Sequence, residues 1–152
     1  MKTLLLSALL VISSLLSTGA EASQSTLDSI DRALQITNVE MQAIYSGRYQ
    51  YYRPETIRGI LSRLSQEAGQ ALSASESSEA RHDLSNLLRS INEEYAYSSR
   101  FQYYRLESTR LLMLNYQRFL NQARQSERMH GSQGHNGGSF GGCNGPGRVG
   151  CL

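Results

Sequence analysis

The sequence predicts an all-α fold: an antiparallel four-helix bundle built from two tandem helical hairpins, followed by a disordered glycine-rich C-terminal tail. Three observations predict it. Four stretches carry apolar residues at three- and four-residue steps, a 14-residue motif occurs twice with an offset of 52 positions, and the composition turns to glycine after residue 130.

The first segment stands outside that fold. Met1, Lys2 and Thr3 bring one positive charge, residues 4–16 form an apolar run, and Ala20-Glu21-Ala22 sets small residues where signal peptidase requires them. Residues 1–22 are therefore expected to be a cleavable signal peptide, with Ser23 as the first mature residue. Ser7, Ser13, Ser14 and Ser17 interrupt the run. A membrane span needs about 20 predominantly apolar residues, so a retained anchor is disfavoured. No later segment is apolar enough to span a bilayer either. The expected location is periplasmic or extracellular.

Removing the signal leaves 130 residues, enough for one domain. This mature part carries 14 arginines, no lysine and 12 acidic residues, for a formal charge of +2. So small a basic excess argues against a nucleic-acid footprint. Arginine is permanently charged and bonds carboxylates or phosphates in two-pronged fashion, which suits ion pairing or anion recognition.

Helices are expected near residues 26–45, 54–73, 78–96 and 105–129. Leu27, Ile30, Leu34, Met41 and Ile44 form the first stripe, and Ile57, Ile60, Leu61, Leu64 and Ala68 the second. After a serine-rich break at 73–78, Ala80, Leu84, Leu87, Leu88, Ile91 and Tyr95 make the third. Leu106, Thr109, Leu112, Met113, Tyr116, Leu120 and Ala123 make the fourth. Ser25 or Thr26 suits the first N-cap, Gly47 a C-terminal stop, Pro54 a first helical position, and Ser77 or Ser78 the third N-cap. No strand signal is present, and because Ser99 and Leu106 replace Gly47 and Pro54 in the second copy, an earlier start of the fourth helix, by Arg100, is left open. The helical domain thus spans 23–130 as two repeats, about 26–75 and 78–129, with the tail at 131–152.

The repeat itself runs Tyr45-Ser46-Gly47-Arg48-Tyr49-Gln50-Tyr51-Tyr52-Arg53-Pro54-Glu55-Thr56-Ile57-Arg58. It returns as Tyr97-Ser98-Ser99-Arg100-Phe101-Gln102-Tyr103-Tyr104-Arg105-Leu106-Glu107-Ser108-Thr109-Arg110, identical at nine of 14 positions. Arg48, Tyr51, Tyr52 and Arg53, with Arg100, Tyr103, Tyr104 and Arg105, are the candidate binding residues. They predict two matching aromatic and cationic patches for an anionic polymer, a glycan or a partner protein. Set at corresponding ends of two hairpins, they would bind bivalently.

Charge pattern supports a structural reading of the same residues. Residues 26–45 hold three acids and one arginine, and 46–75 hold four arginines and two acids. Residues 76–96 hold five acids and two arginines, and 97–129 six arginines and two acids. Acidic first helices are expected to pair with basic second helices inside each unit, and pairing between two chains would give a homodimer.

The tail has nine glycines in 22 residues and both cysteines, Cys143 and Cys151. Outside the cytoplasm these are expected to form a disulfide. His130, His135, Cys143 and Cys151 are a weaker metal-binding alternative, because their spacing lacks the close pairs of structural zinc sites. Two Glu-x-x-His sequences, at Glu79 and His82 and at Glu127 and His130, resemble di-metal spacing in bundles. On a helical wheel, however, Glu79 and His82 face solvent while Glu127 and His130 face the core, so the two pairs are not expected to share an ion. No nucleophile with an adjacent base is evident. The expected function is therefore an exported, non-enzymatic interaction or structural module without a cofactor, acting on an envelope or extracellular partner through the motif or the tail. A metal- or redox-active tail on an inert carrier is the alternative.

Overall fold

The computed structural model describes the backbone of residues 2–133 and the side chains of residues 23–132. In chain order, α1 is Lys2–Tyr45, β1 Tyr51–Tyr52, α2 Pro54–Ala74 and α3 Ser78–Tyr97. A 3₁₀ turn at Ser98–Arg100, β2 at Tyr104–Arg105 and α4 at Leu106–Gln133 complete it. Each helix packs on two neighbours: α1 on α2 and α4, and α3 on α2 and α4. Side-chain bonds give the directions. Arg32 Nε meets Glu67 Oε2 at 2.8 Å and Arg63 meets Glu40 at 3.7 Å, so α2 descends as α1 rises. Arg124 to Asp31 at 2.9 Å and Gln117 to Asn38 at 2.8 Å show the same for α4 against α1. The four helices thus close into an all-α bundle around one core.

That core follows the stripes. Ile30, Ala33 and Met41 of α1, Ile57, Leu61 and Leu64 of α2, Leu84, Leu87 and Ile91 of α3, and Met113, Tyr116 and Leu120 of α4 are buried together. Each buried Leu or Ile contributes about 1.5–3 kcal/mol of hydrophobic stabilisation, against the conformational entropy of ordering it. The face of α1 is more polar than its stripe implies: Thr26, Ser29 and Thr37 are buried, whereas Leu27 and Leu34 are only partly so. Thr37 manages burial by returning its hydroxyl proton to the Leu34 carbonyl at 2.8 Å, a helical back-bond that leaves no donor stranded.

Several ends match their sequence signals. α1 stops in a Schellman turn: Arg48 N–H donates to the Ala43 carbonyl and Gly47 N–H to Ile44, with Gly47 at φ 66°. Pro54 opens α2. Ser77 caps α3 by accepting from Ala80 N–H at 3.3 Å.

Four expectations need correction. α1 does not begin near residue 26 but runs from Lys2, so in the full chain Ser25 and Thr26 lie inside the helix, where the preceding turns supply the carbonyls and no cap is needed. Two strands exist, in antiparallel register Tyr51↔Arg105 and Tyr52↔Tyr104. At two residues each they are too short to show an alternating pattern. α4 does not start by Arg100, because β2 holds Tyr104 and Arg105 extended, and the helix begins at Leu106, the repeat mate of Pro54. Finally, ion pairing follows the acidic-to-basic scheme only in part. Glu40 of acidic α1 pairs with Arg63 of basic α2 as expected, but Arg32 of α1 also pairs with Glu67 of α2, and Asp31 reaches α4 in the other unit, because each helix faces two neighbours.

Gly47→Ala keeps the helix but places a Cβ in the left-handed region. Equilibrium denaturation should show a loss of about 1 kcal/mol. No loss would mean that the α1 stop does not depend on that turn.

Candidate functional site

The loops after α1 and α3 carry the two motif copies, and the β1–β2 pairing brings them side by side at one end of the bundle. Tyr52 and Tyr104 occupy the same position in the two copies and are direct strand partners, so a local two-fold relation passes between them. The rings obey it. Tyr49 packs on Tyr52 and Phe101 on Tyr104, each with centroids 5.1 Å apart, and Tyr51 meets Tyr103 edge-on across the axis at 6.0 Å.

Because successive strand residues point to opposite faces, the eight candidate residues divide. Tyr52 and Tyr104 are 2% and 6% exposed and belong to the core, a correction to their reading as binding residues. Tyr51 and Tyr103, both 51% exposed, remain on the surface with Arg48, Arg53, Arg100 and Arg105. The two patches are also not separate, since the pairing fuses them into one surface. Sequence reasoning missed the aromatics that extend it: Tyr45, Tyr49, Tyr95, Tyr97 and Phe101 are all exposed. Their signal was their crowding within a few residues of the motif. Arg100 lies over the Tyr97 ring at 4.8 Å, Arg48 over Tyr49 at 5.8 Å and Arg58 over Tyr95 at 5.8 Å. Such contacts contribute about 0.5–1 kcal/mol each when exposed. Arg58 also bridges the units, its Nε donating to Ser98 Oγ at 2.8 Å.

The two copies differ beneath this surface. The Tyr52 hydroxyl donates to Glu40 Oε2 at 3.1 Å. The Tyr104 hydroxyl is also enclosed; Glu94 is the group it faces, as Ser90 is for Tyr116, but neither pair closes a hydrogen bond. Burial, then the nearby Glu40 carboxylate for Tyr52 and Glu94 for Tyr104, pushes both phenols well above their ordinary pKa, so both stay neutral. Burial first and Glu94 second do the same to Tyr116. A cleft of about 680 Å³ opens beside the second copy, where Glu94, Arg100, Phe101, Tyr103, Arg105 and Ser108 meet.

The opposite end holds the Glu-x-x-His residues. Glu127 is fully buried and accepts from Ser75 Oγ at 2.7 Å, but His130 is exposed, correcting its expected place on the buried side. It sits near the end of α4, which runs on past residue 129 to Gln133. Glu79 and His82 face solvent as expected. Among the described residues no three metal-ligating side chains converge. Of the tail alternative only His130 is described, while His135 and the expected Cys143–Cys151 disulfide lie outside the described residues.

Compared with known proteins, the chain matches no family model, no curated protein and no solved structure.

The contrast between the tyrosines is testable. Tyr52→Phe should cost about 1–2 kcal/mol, because a hydrogen bond to a carboxylate is lost and Glu40 loses a donor. Tyr104→Phe removes an unpaired buried hydroxyl and should leave denaturant stability unchanged or higher by about 1 kcal/mol. Equal losses would contradict the asymmetry.

Glu79 offers a pH test. Its own backbone N–H, then Ser78 and Ser77, hold its carboxyl below the usual carboxylate range. A folded pKa below the unfolded one means its stabilisation is present above about pH 4.3 and disappears as pH falls through the lowered value. Glu79→Gln should therefore melt below the wild type at pH 7, with the gap closing as pH falls below the usual carboxylate range. A gap independent of pH would refute the assignment.

Proposed function

We propose that the chain is an exported, non-enzymatic interaction module whose tyrosine- and arginine-bearing bundle end grips an anionic partner in the periplasm or outside the cell. The observation that carries this reading is the fusion of the two motif copies. A fold needs Tyr52 and Tyr104 in its core, but it does not need seven exposed aromatic rings and four exposed arginines gathered at the same end. Exposed aromatic groups rimmed by charge are the composition of recognition surfaces rather than of ordinary solvated ones.

The export reading supports the same conclusion. Residues 1–22 have the charge, apolar run and small-residue site of a cleavable signal, and among the described residues no helix is long and apolar enough to cross a membrane. The enclosed neutral tyrosines and the solvent-facing His82 offer no base held beside a nucleophile, which supports binding over catalysis. One merged surface also replaces bivalent attachment by a single broad contact, in which arginines supply charge and rings supply apolar area.

The test uses the mature chain and two defined polyanions, polygalacturonate and polyglutamate, immobilised at physiological salt. The wild type should bind at least one of them, more weakly as salt rises. The quadruple variant Tyr51→Ala, Tyr103→Ala, Arg53→Ala and Arg105→Ala changes only exposed side chains, so its helicity and cooperative melting should persist while affinity falls at least tenfold. Failure of the wild type to bind either polymer, or undiminished binding by the variant, would overturn the reading.

A further inference from the structure

We propose that the cleft beside the second motif copy is a subsite for a carboxylate-bearing sugar ring. The inference rests on reading this end as an anion-recognising surface and adds a ligand class to it. Its starting point is the divergence of two otherwise matched copies. In the first, Glu40 on α1 closes over Tyr52 and bonds its hydroxyl at 3.1 Å. The repeat mate of Glu40 is Asn92, and the acid of the second unit stands instead at Glu94, whose own mate is Gln42. That shift sets Glu94 near the Tyr104 hydroxyl without closing a hydrogen bond to it, and puts its carboxylate into the wall of an open cleft of about 680 Å³.

The lining states what an occupant must offer. Arg100 and Arg105 border the cleft and, among the described residues, neither pairs with an acid within 4.0 Å, so an anionic group is called for. Glu94 likewise has no cationic partner within that distance, so its oxygens call for donors. Half-exposed Phe101 and Tyr103 call for an apolar face. Phosphate, sulfate or a simple carboxylate meets the first requirement but brings no hydroxyl donor for Glu94 and no apolar face for the rings. A neutral sugar meets the second and third but leaves the arginines unpaired. A uronate meets all three within one rigid ring: a carboxylate for the guanidinium groups, hydroxyl donors for Glu94, and a face of C–H bonds to lie on the aromatic rings. The cleft is of a size that suits one or two such rings.

The experiment is an NMR titration of the mature chain with sodium glucuronate, glucose, sodium sulfate and glutamate, following amide shifts. Glucuronate should move signals of residues 94, 100–105 and 108, with glucose and sulfate at least tenfold weaker. Glu94→Gln and, as a second variant on an exposed side chain, Phe101→Ala should each weaken glucuronate at least tenfold while keeping the helical spectrum and melting. Glucose or sulfate binding as tightly as glucuronate, glutamate binding more tightly, shifts outside the cleft, or unchanged affinity in both variants would each overturn the proposal. If wild-type protein binds polygalacturonate or polyglutamate but glucuronate leaves the cleft signals unmoved, this subsite falls and the broader reading stands. If neither polymer binds, both fall.

Discussion

The antiparallel pairing of Tyr51-Tyr52 with Tyr104-Arg105 organises the end of the bundle that carries both motif copies. Few residues take part, yet much follows from them. Holding both loops extended fixes where α2 and α4 begin, at the equivalent positions Pro54 and Leu106. The alternation of an extended chain then sends Tyr52 and Tyr104 inward and Tyr51 and Tyr103 outward. An isolated two-residue ladder would not persist in water. Here it is supported by the ring contacts on either side of it and by Arg58 reaching Ser98 from α2.

The rest of the bundle is held by apolar packing more than by charge. Arg32–Glu67, Arg63–Glu40 and Arg124–Asp31 all involve exposed or part-exposed groups, and pairs of that kind contribute about 0–1 kcal/mol each. Their value lies in direction. Pairs on two sides of α1 are satisfied together only when α2 and α4 both run against it, so the charges favour one closed arrangement over other orders of the same helices. Each unit completes its core with the other unit, which is why the two motif copies cannot act as independent binding ends.

Much of this was legible in the residues. The apolar stripes marked all four helices, and Gly47, Pro54 and Ser77 marked three of their ends, because those signals are local. The misses arose where tertiary contact overrides local preference. Thr26 and Ser29 look solvent-facing by composition, yet the packing of α1 encloses them. The two strands carry too little pattern to announce themselves, and with them went the distinction between Tyr51 and Tyr52, adjacent residues of one type that end on opposite sides of the surface. The candidate site was half legible for the same reason: residue types and duplication located it, but only the pairing showed that the copies merge. Glu94 lay outside the motif, and its part in the cleft depends on α3 passing beside the second copy.

The merging of the copies is tested most directly by nuclear Overhauser contacts in a chain beginning at Ser23 with selectively labelled tyrosine rings. Tyr51 and Tyr103, edge-on with centroids 6.0 Å apart, should show cross-peaks between their ring protons, as should each of Tyr52 and Tyr104 with the ring of its own copy, Tyr49 or Phe101. Contacts within each copy but none between Tyr51 and Tyr103 would mean that the hairpins keep separate ends, and the single recognition surface would be contradicted.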